Sequence, residues 1–224
     1  MISNKNFQPA LALAALLAFT GAAQATIAVY TTQASFLAAV GSAGTDTFDD
    51  LSYVARSPSP LARTAGSHSY TAEAGPTSDF YPAASLDGSD VFLAPTARAD
   101  TLYASGFSAG VNAVGGFFFG TDLNGAATPA ALLTVSVTDS SGTFTQSLLN
   151  PGAPNTTFRG FVSTGGLSLL TVWVGAAQGV GEVDVWPAVN NLTLAVAVPE
   201  PQSYALMLGG LALLGWAARR QKQG

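Results

Sequence analysis

The chain has no cysteine and a single histidine, His68, among 224 residues. Without cysteine there are no disulfides, no thiolate zinc or iron–sulfur centre and no thiol catalysis. One histidine cannot build a multi-histidine zinc or iron site. His68 sits in Ser67-His68-Ser69-Tyr70, reads as a loop histidine, and is not expected to serve a Ser-His-Asp triad. Positive charge is also scarce. Residues 26–197 contain no lysine and only four arginines, Arg56, Arg63, Arg98 and Arg159, against twelve acids, a formal charge of −8. No basic stripe exists to neutralise phosphates, which excludes nucleic acid as a partner, and the same acidity opposes adhesion to anionic lipid. It suits solubility and cations such as Ca²⁺.

The bulk figures, 48% hydrophobic and 9% charged, have the look of a membrane protein, but two short terminal segments inflate them. At the front, Lys5 precedes an apolar run over Pro9–Phe19, and Ala23-Gln24-Ala25 supplies the small-x-small pattern that signal peptidase reads. These parts in this order make residues 1–25 a secretory signal peptide, a helix removed before Thr26, with the Sec machinery and signal peptidase as partners. At the back, the uncharged apolar run Ser203–Ala218 ends in Arg219, Arg220 and Lys222. A helix over 203–218 is about 24 Å long, short of the roughly 30 Å hydrocarbon core. It makes a marginal permanent span and a workable temporary one, with Trp216 at the interface and the basic tail 219–224 held in the cytoplasm.

Immediately before that run stands Val198-Pro199-Glu200-Pro201, where two prolines keep strand and helix from continuing. Pro199-Glu200-Pro201, then an apolar helix containing Gly209-Gly210-Leu211, then Arg219-Arg220, resembles the PEP-CTERM sorting signal over residues 198–224. The resemblance implies that an exosortase recognises Pro199, Glu200 and Pro201 and cleaves near them. It also implies a Gram-negative, exopolysaccharide-producing host, an inner-membrane-anchored intermediate, and delivery to the cell surface or a biofilm matrix.

Residues 26–197 read as one extracytoplasmic domain, large enough to bury a core without disulfides. Ile27–Tyr30 is a short strand, and Thr31 or Thr32 caps a brief helix over Gln33–Val40 that Gly41 closes. Thr45–Leu51 reads as a strand with Asp46, Phe48 and Asp50 on one face. Residues 52–98, with five prolines, hold two or three poorly signalled strands. Val111–Phe119, Leu132–Thr138, Thr143–Leu148, Phe158–Ser163, Leu167–Val174 and Asn191–Val198 complete an all-β antiparallel sandwich or jelly roll with one short N-terminal helix. Tyr30-Thr31, Phe36-Leu37-Ala38-Ala39, Phe48-Asp49-Asp50-Leu51, Phe158-Arg159-Gly160-Phe161-Val162-Ser163 and Asn190-Asn191-Leu192 resemble, in order, a domain often found upstream of PEP-CTERM tails. In a jelly roll the first and last strands lie side by side, so FDDL and NNL are expected to be neighbours.

Three constellations could carry chemistry. Glu182-Val183-Asp184-Val185-Trp186 resembles the E-[IV]-D-[IV]-x-E strand of laminarinase-type glycoside hydrolases. That family needs a second carboxylate about 5–5.5 Å from the first, where this chain has Trp186 or Pro187, so a degenerate or unrecognised hydrolase is the alternative rather than the leading reading. Asp46, Asp49, Asp50 and Asn190, with Asp87 and Asp90, are oxygen ligands of the kind Ca²⁺ takes, making a structural Ca²⁺ site a candidate; no other cofactor is expected. Tyr53, Tyr70, Phe80, Tyr81, Tyr103, Trp173 and Trp186 are candidates for stacking on sugar rings. The leading expectation is a sorted envelope or matrix protein whose domain is a non-enzymatic structural or carbohydrate-interacting module.

Overall fold

The computed structural model describes residues 26–85, 88–98, 100–128, 132–149, 156–175, 184–198 and 201–221. Along the chain come β1 (Ile27–Tyr30), helix α1 (Gln33–Ala39) and β2 (Gly44–Asp46). Two hairpins follow, β3 (Leu61–Ala65) with β4 (His68–Ala74) and β5 (Phe80–Ala84) with β6 (Val91–Pro95). Then come β7 (Leu102–Ser105), β8 (Ala113–Thr121) and β9 (Ala127–Thr128), and the hairpin β10 (Leu132–Asp139) with β11 (Gly142–Leu149). The last strands are β12 (Phe158–Ser163), β13 (Leu167–Val174) and β14 (Trp186–Ala195), before helix α2 (Pro201–Gln221).

The strands form two antiparallel sheets. The first runs β1-β12-β8-β14-β6-β5, with β2 also on β14 and β9 on β8; the second runs β11-β10-β13-β7-β4-β3. Alternation decides which side chains go in. Leu133, Val135 and Val137 of β10, Leu170 and Val172 of β13, and Tyr70 and Ala72 of β4 point inward. They meet Val114 and Phe118 of β8 and Val189, Leu192 and Leu194 of β14 in one core. The first sheet is buried on its outer side as well, where Phe36 of α1 packs with Ala113, Phe158 and Ala195. Thr32 caps α1 by accepting from the Ser35 amide at 3.2 Å.

The all-β sandwich agrees with the sequence reading, and β1, β12 and β13 fall on the expected residues. Other segments differ. Residues 52–98 hold four strands, not two or three, because several of their inward positions are small: Ala65, Ala72, Ala74 and Ala84 give little hydrophobic period. Pro82 lies inside β5, which an edge strand tolerates because the donor that proline lacks is not needed for the ladder to β6. The strand expected over Thr45–Leu51 stops at Asp46. The Asp46 carboxylate accepts the Phe48 amide at 3.1 Å, Phe48 takes a φ of 64°, and its ring turns into the core instead of alternating. β14 starts at Trp186, earlier than expected, and kinks where its register shifts between Asn190 and Thr193, with Asn191 at a φ of 51°. FDDL itself forms no strand; the segment just before it, Gly44–Asp46, is what pairs with β14, with Asp46 opposite Leu192. Residues 1–25, and with them Ala23 and Ala25 of the expected signal peptide, lie outside the described residues.

Candidate functional site

The end of the sandwich is tied down just before the expected processing site. The Gly41 amide donates to the Val196 carbonyl at 2.8 Å, the Val198 amide donates to the Ala39 carbonyl at 3.4 Å, and Val40 bridges Ala197. Asn112 Oδ1 accepts the Ala197 amide at 2.6 Å. The residues leading into Pro199 and Glu200 are thus part of the folded domain, while those two lie outside the described residues. Pro201 opens α2, a position where the missing proline N–H costs nothing. The helix runs to Gln221, exposes Met207, Leu208, Leu211, Leu213 and Leu214, and carries Arg219 and Arg220 in its last turn. It is longer than the expected 203–218, yet among the described residues no helix is long and apolar enough to cross a membrane. Three glycines and the polar residues at both ends dilute its hydropathy.

The most strongly charged corner of the domain joins the two sheets. Arg63 of β3 donates through Nε to Asp46 Oδ2 at 2.9 Å, and through its two other nitrogens to Asp50 at 2.7 and 2.8 Å and to Asp46 Oδ1. Tyr70, opposite Arg63 on β4, donates its hydroxyl to Asp46 Oδ2 at 2.7 Å, and the Phe48 ring lies 5.5 Å beneath the guanidinium. Burial opposes the Arg63 charge, but the bonds to Asp50 and Asp46 outweigh it and raise its pKa. Burial first, then the Asp46 charge, raises that of Tyr70, which stays a donor. Around this corner lies an open polar groove of about 640 Å³, lined by Thr45, Thr47, Thr64, Ser69, Thr71 and Gly106 beside the charged pair.

Among the described residues the expected Ca²⁺ ligands each have a protein partner. Arg63 supplies the positive charge beside Asp46 and Asp50. Asp49 accepts the Val91 amide at 3.0 Å, and Asn190 donates to both Asp90 oxygens at 2.8 and 2.9 Å. Asp87 lies outside the described residues. Among the described residues no group of three or more histidine, cysteine, aspartate or glutamate side chains could hold a metal ion. His68 is not in a loop but in β4, buried, with Nε2 2.7 Å from the Ser42 carbonyl. Gly106-Phe107-Ser108-Ala109-Gly110 has the G-x-S-x-G spelling of a nucleophile elbow. It forms a loop between two strands, not a strand-to-helix turn, and Ser108 Oγ accepts the Ser69 amide at 3.3 Å. Asp184 precedes β14 and pairs on the surface with Arg98 at 3.1 Å; Glu182 lies outside the described residues.

Two carboxyls are held below the usual range. Hydrogen bonds from Arg63 lower Asp50, and hydrogen bonds from Ser141 and Ser163 (both 2.6 Å) lower Asp139. A carboxyl depressed in the folded state adds stability above its unfolded value, about 4, and loses that stability as pH falls through the folded value. The urea midpoint is therefore expected to drop as pH is lowered from about 5 to 3, and Asp139→Asn should flatten the drop. An identical acid slope in that variant would refute the assignment.

Two exposed tyrosines, Tyr53 and Tyr81, lie together at the edge of the first sheet. Tyr81 of the edge strand β5 lines two grooves. One, of about 330 Å³, also takes in Tyr53, Gly88 and Asn124; the other, of about 260 Å³, takes in Arg56, Thr96, Asp122, Leu123 and Trp186. The wall between them is built locally. Asp122 Oδ1 accepts the amides of Asn124 and Ala126, both at 2.9 Å, and Gly125 turns with a φ of 80°. A Cβ at Gly125 would stand 2.8 Å from Ala83, so only glycine lets this turn lie against β5. Trp186 is fixed by its Nε1 donating to the Thr96 carbonyl at 3.3 Å. Of the other candidate aromatics, Tyr70 and Phe80 are core, and Tyr103 and Trp173 are half-buried in the second sheet.

No curated protein and no solved structure matches the chain. Residues 197–221 match the family model described as the PEP-CTERM protein-sorting motif, which implies an exosortase as processing partner and export to the cell envelope. The segment that begins where the tied-down end of the sandwich leaves off is thus a sorting signal, and the chain is a PEP-CTERM domain-containing protein.

Proposed function

We propose that the protein is a non-enzymatic envelope or matrix component: a Sec-exported β-sandwich that an exosortase releases from a temporary C-terminal anchor, and that then serves a structural or carbohydrate-interacting role among exopolysaccharide. The observation that carries this reading is the sorting motif at 197–221, set directly after a domain whose last residues are hydrogen-bonded back to α1. That arrangement leaves a finished, acidic, lysine-free sandwich when the tail is removed. Trp186 and Pro187 at the position of the second carboxylate support a module over a hydrolase, since that chemistry needs two acids.

Mass spectrometry of the protein from its host, with and without the exosortase, tests the reading. The mature form is expected to begin at Thr26 and to end near Pro199–Pro201 only when the exosortase is present. A mature form that keeps Arg219–Gly224 in the exosortase-positive host would refute it.

A further inference from the structure

We propose that the ridge centred on Tyr81 is a binding site for a neutral polysaccharide chain. The inference rests on the carbohydrate-interacting half of the function above and is independent of the sorting half. Tyr81 is 39% exposed although it lies in a regular strand, and Tyr53 beside it is 47% exposed. A ring left in water on a folded surface offers an apolar face with a polar edge, the form that suits a sugar ring with its C–H face and hydroxyl rim. Strand pairing sets the third ring in line. β5, β6 and β14 are neighbours in the sheet, and their register sets Tyr81 and Trp186 two strand spacings across and two residues along, about 12 Å apart. The two grooves share Tyr81 as a lining residue, so a linear chain of several sugar rings can reach both across that ring, which a single compact ligand does not.

The site is built before any ligand arrives. Trp186 is oriented by the Thr96 carbonyl, and the Asp122–Ala126 turn is closed by its own carboxylate. Tyr53 lies over Gly88, where a Cβ would come within 3.3 Å of its hydroxyl. Rings held in this way lose little entropy on binding. Charge selects the class of polymer. Among the described residues the grooves are lined by one cation, Arg56, and one carboxylate, Asp122, within a domain of formal charge −8 over residues 26–197. A uronate-rich or sulfated polymer meets repulsion from that field, whereas a neutral one meets none. Arg56, Asp122 and Asn124 supply donors and acceptors for hydroxyls along the track.

Affinity electrophoresis of the exported protein through gels containing laminarin, dextran, xylan or galactomannan, with alginate as the acidic control, tests the proposal. Retardation by at least one neutral polymer and none by alginate is expected. Tyr81→Ala should weaken it about ten-fold or more, and Tyr103→Ala, on the other sheet, should leave it intact. Unchanged melting of Tyr81→Ala keeps that loss from being one of folding. Retardation that survives in Tyr81→Ala would overturn this site while leaving a carbohydrate-interacting domain standing. Retardation by alginate alone would overturn the neutral class. No retardation in any gel would remove both the site and the carbohydrate role, and the mature termini would still report on sorting.

Discussion

Asp46→Ala is expected to destabilise the folded protein by about 3–5 kcal/mol, the cost of breaking a buried ion pair from one side. The Asp46 side chain is 3% exposed and that of Arg63 9%. Removing the carboxylate takes the acceptor from four donors together: two guanidinium nitrogens of Arg63, the Tyr70 hydroxyl and the Phe48 amide. Each buried orphan costs about 1–3 kcal/mol. The position adds to the effect, because Asp46 belongs to β2 in the first sheet while Arg63 and Tyr70 belong to the second. Asp50 reaches the same guanidinium with comparable distances, yet its side chain is 67% exposed, so water replaces it cheaply. Asp50→Ala should cost about 0–1 kcal/mol. Urea denaturation of the two variants at neutral pH decides the point. Equal costs, or an Asp46→Ala cost below about 1 kcal/mol, would show that the corner is not desolvated as its geometry indicates.

What could be read from the sequence follows the physics of each segment. β10 and β13 were legible because β-branched and leucine residues alternate with Ser and Thr along them, and the Asp139–Gly142 turn announced its hairpin. The structure adds the reason, since Asp139 accepts the amides of Ser141 and Gly142. The run from β3 to β6 was not legible, because alanine fills inward positions that sequence patterns recognise through larger side chains. The corner at Arg63 was hidden for a different cause. Asp46 and Arg63 are 17 residues apart on different sheets, and no local period links them. The carboxylates of Asp46 and Asp50 carried an oxygen-ligand signal that fits a cation of either kind, and the cation beside them is the Arg63 guanidinium. The aromatics were visible as a set, but which of them share a face depends on the β5–β6–β14 pairing. The sorting motif was fully legible because its recognition is local and linear.

Gly160→Val should be as damaging as losing a core phenylalanine, and the reason lies in two motifs that explain one another. Gly160 of β12 stands opposite Gly115 of β8, and the two form the floor on which Phe36 of α1 rests, fully buried. A Cβ at Gly160 would overlap the Phe36 ring, and one at Gly115 would stand 2.8 Å from Phe158 and 3.2 Å from Phe36. Neither glycine has a positive φ, so space rather than backbone strain excludes a side chain. With valine at 160, either Phe36 leaves its socket, at about the 3–5 kcal/mol of a Phe→Ala truncation, or α1 lifts from the sheet. Lifting α1 also loosens the Ala39–Gly41 bonds to Val196 and Val198, which should expose the segment before the sorting motif to protease. The double variant separates the steric term from any other. If Phe36 is what the valine meets, adding Gly160→Val to Phe36→Ala should cost far less than adding it to the wild type, a coupling of about 1–3 kcal/mol. Additive costs in that cycle would mean that the glycine serves the strand and not the helix above it.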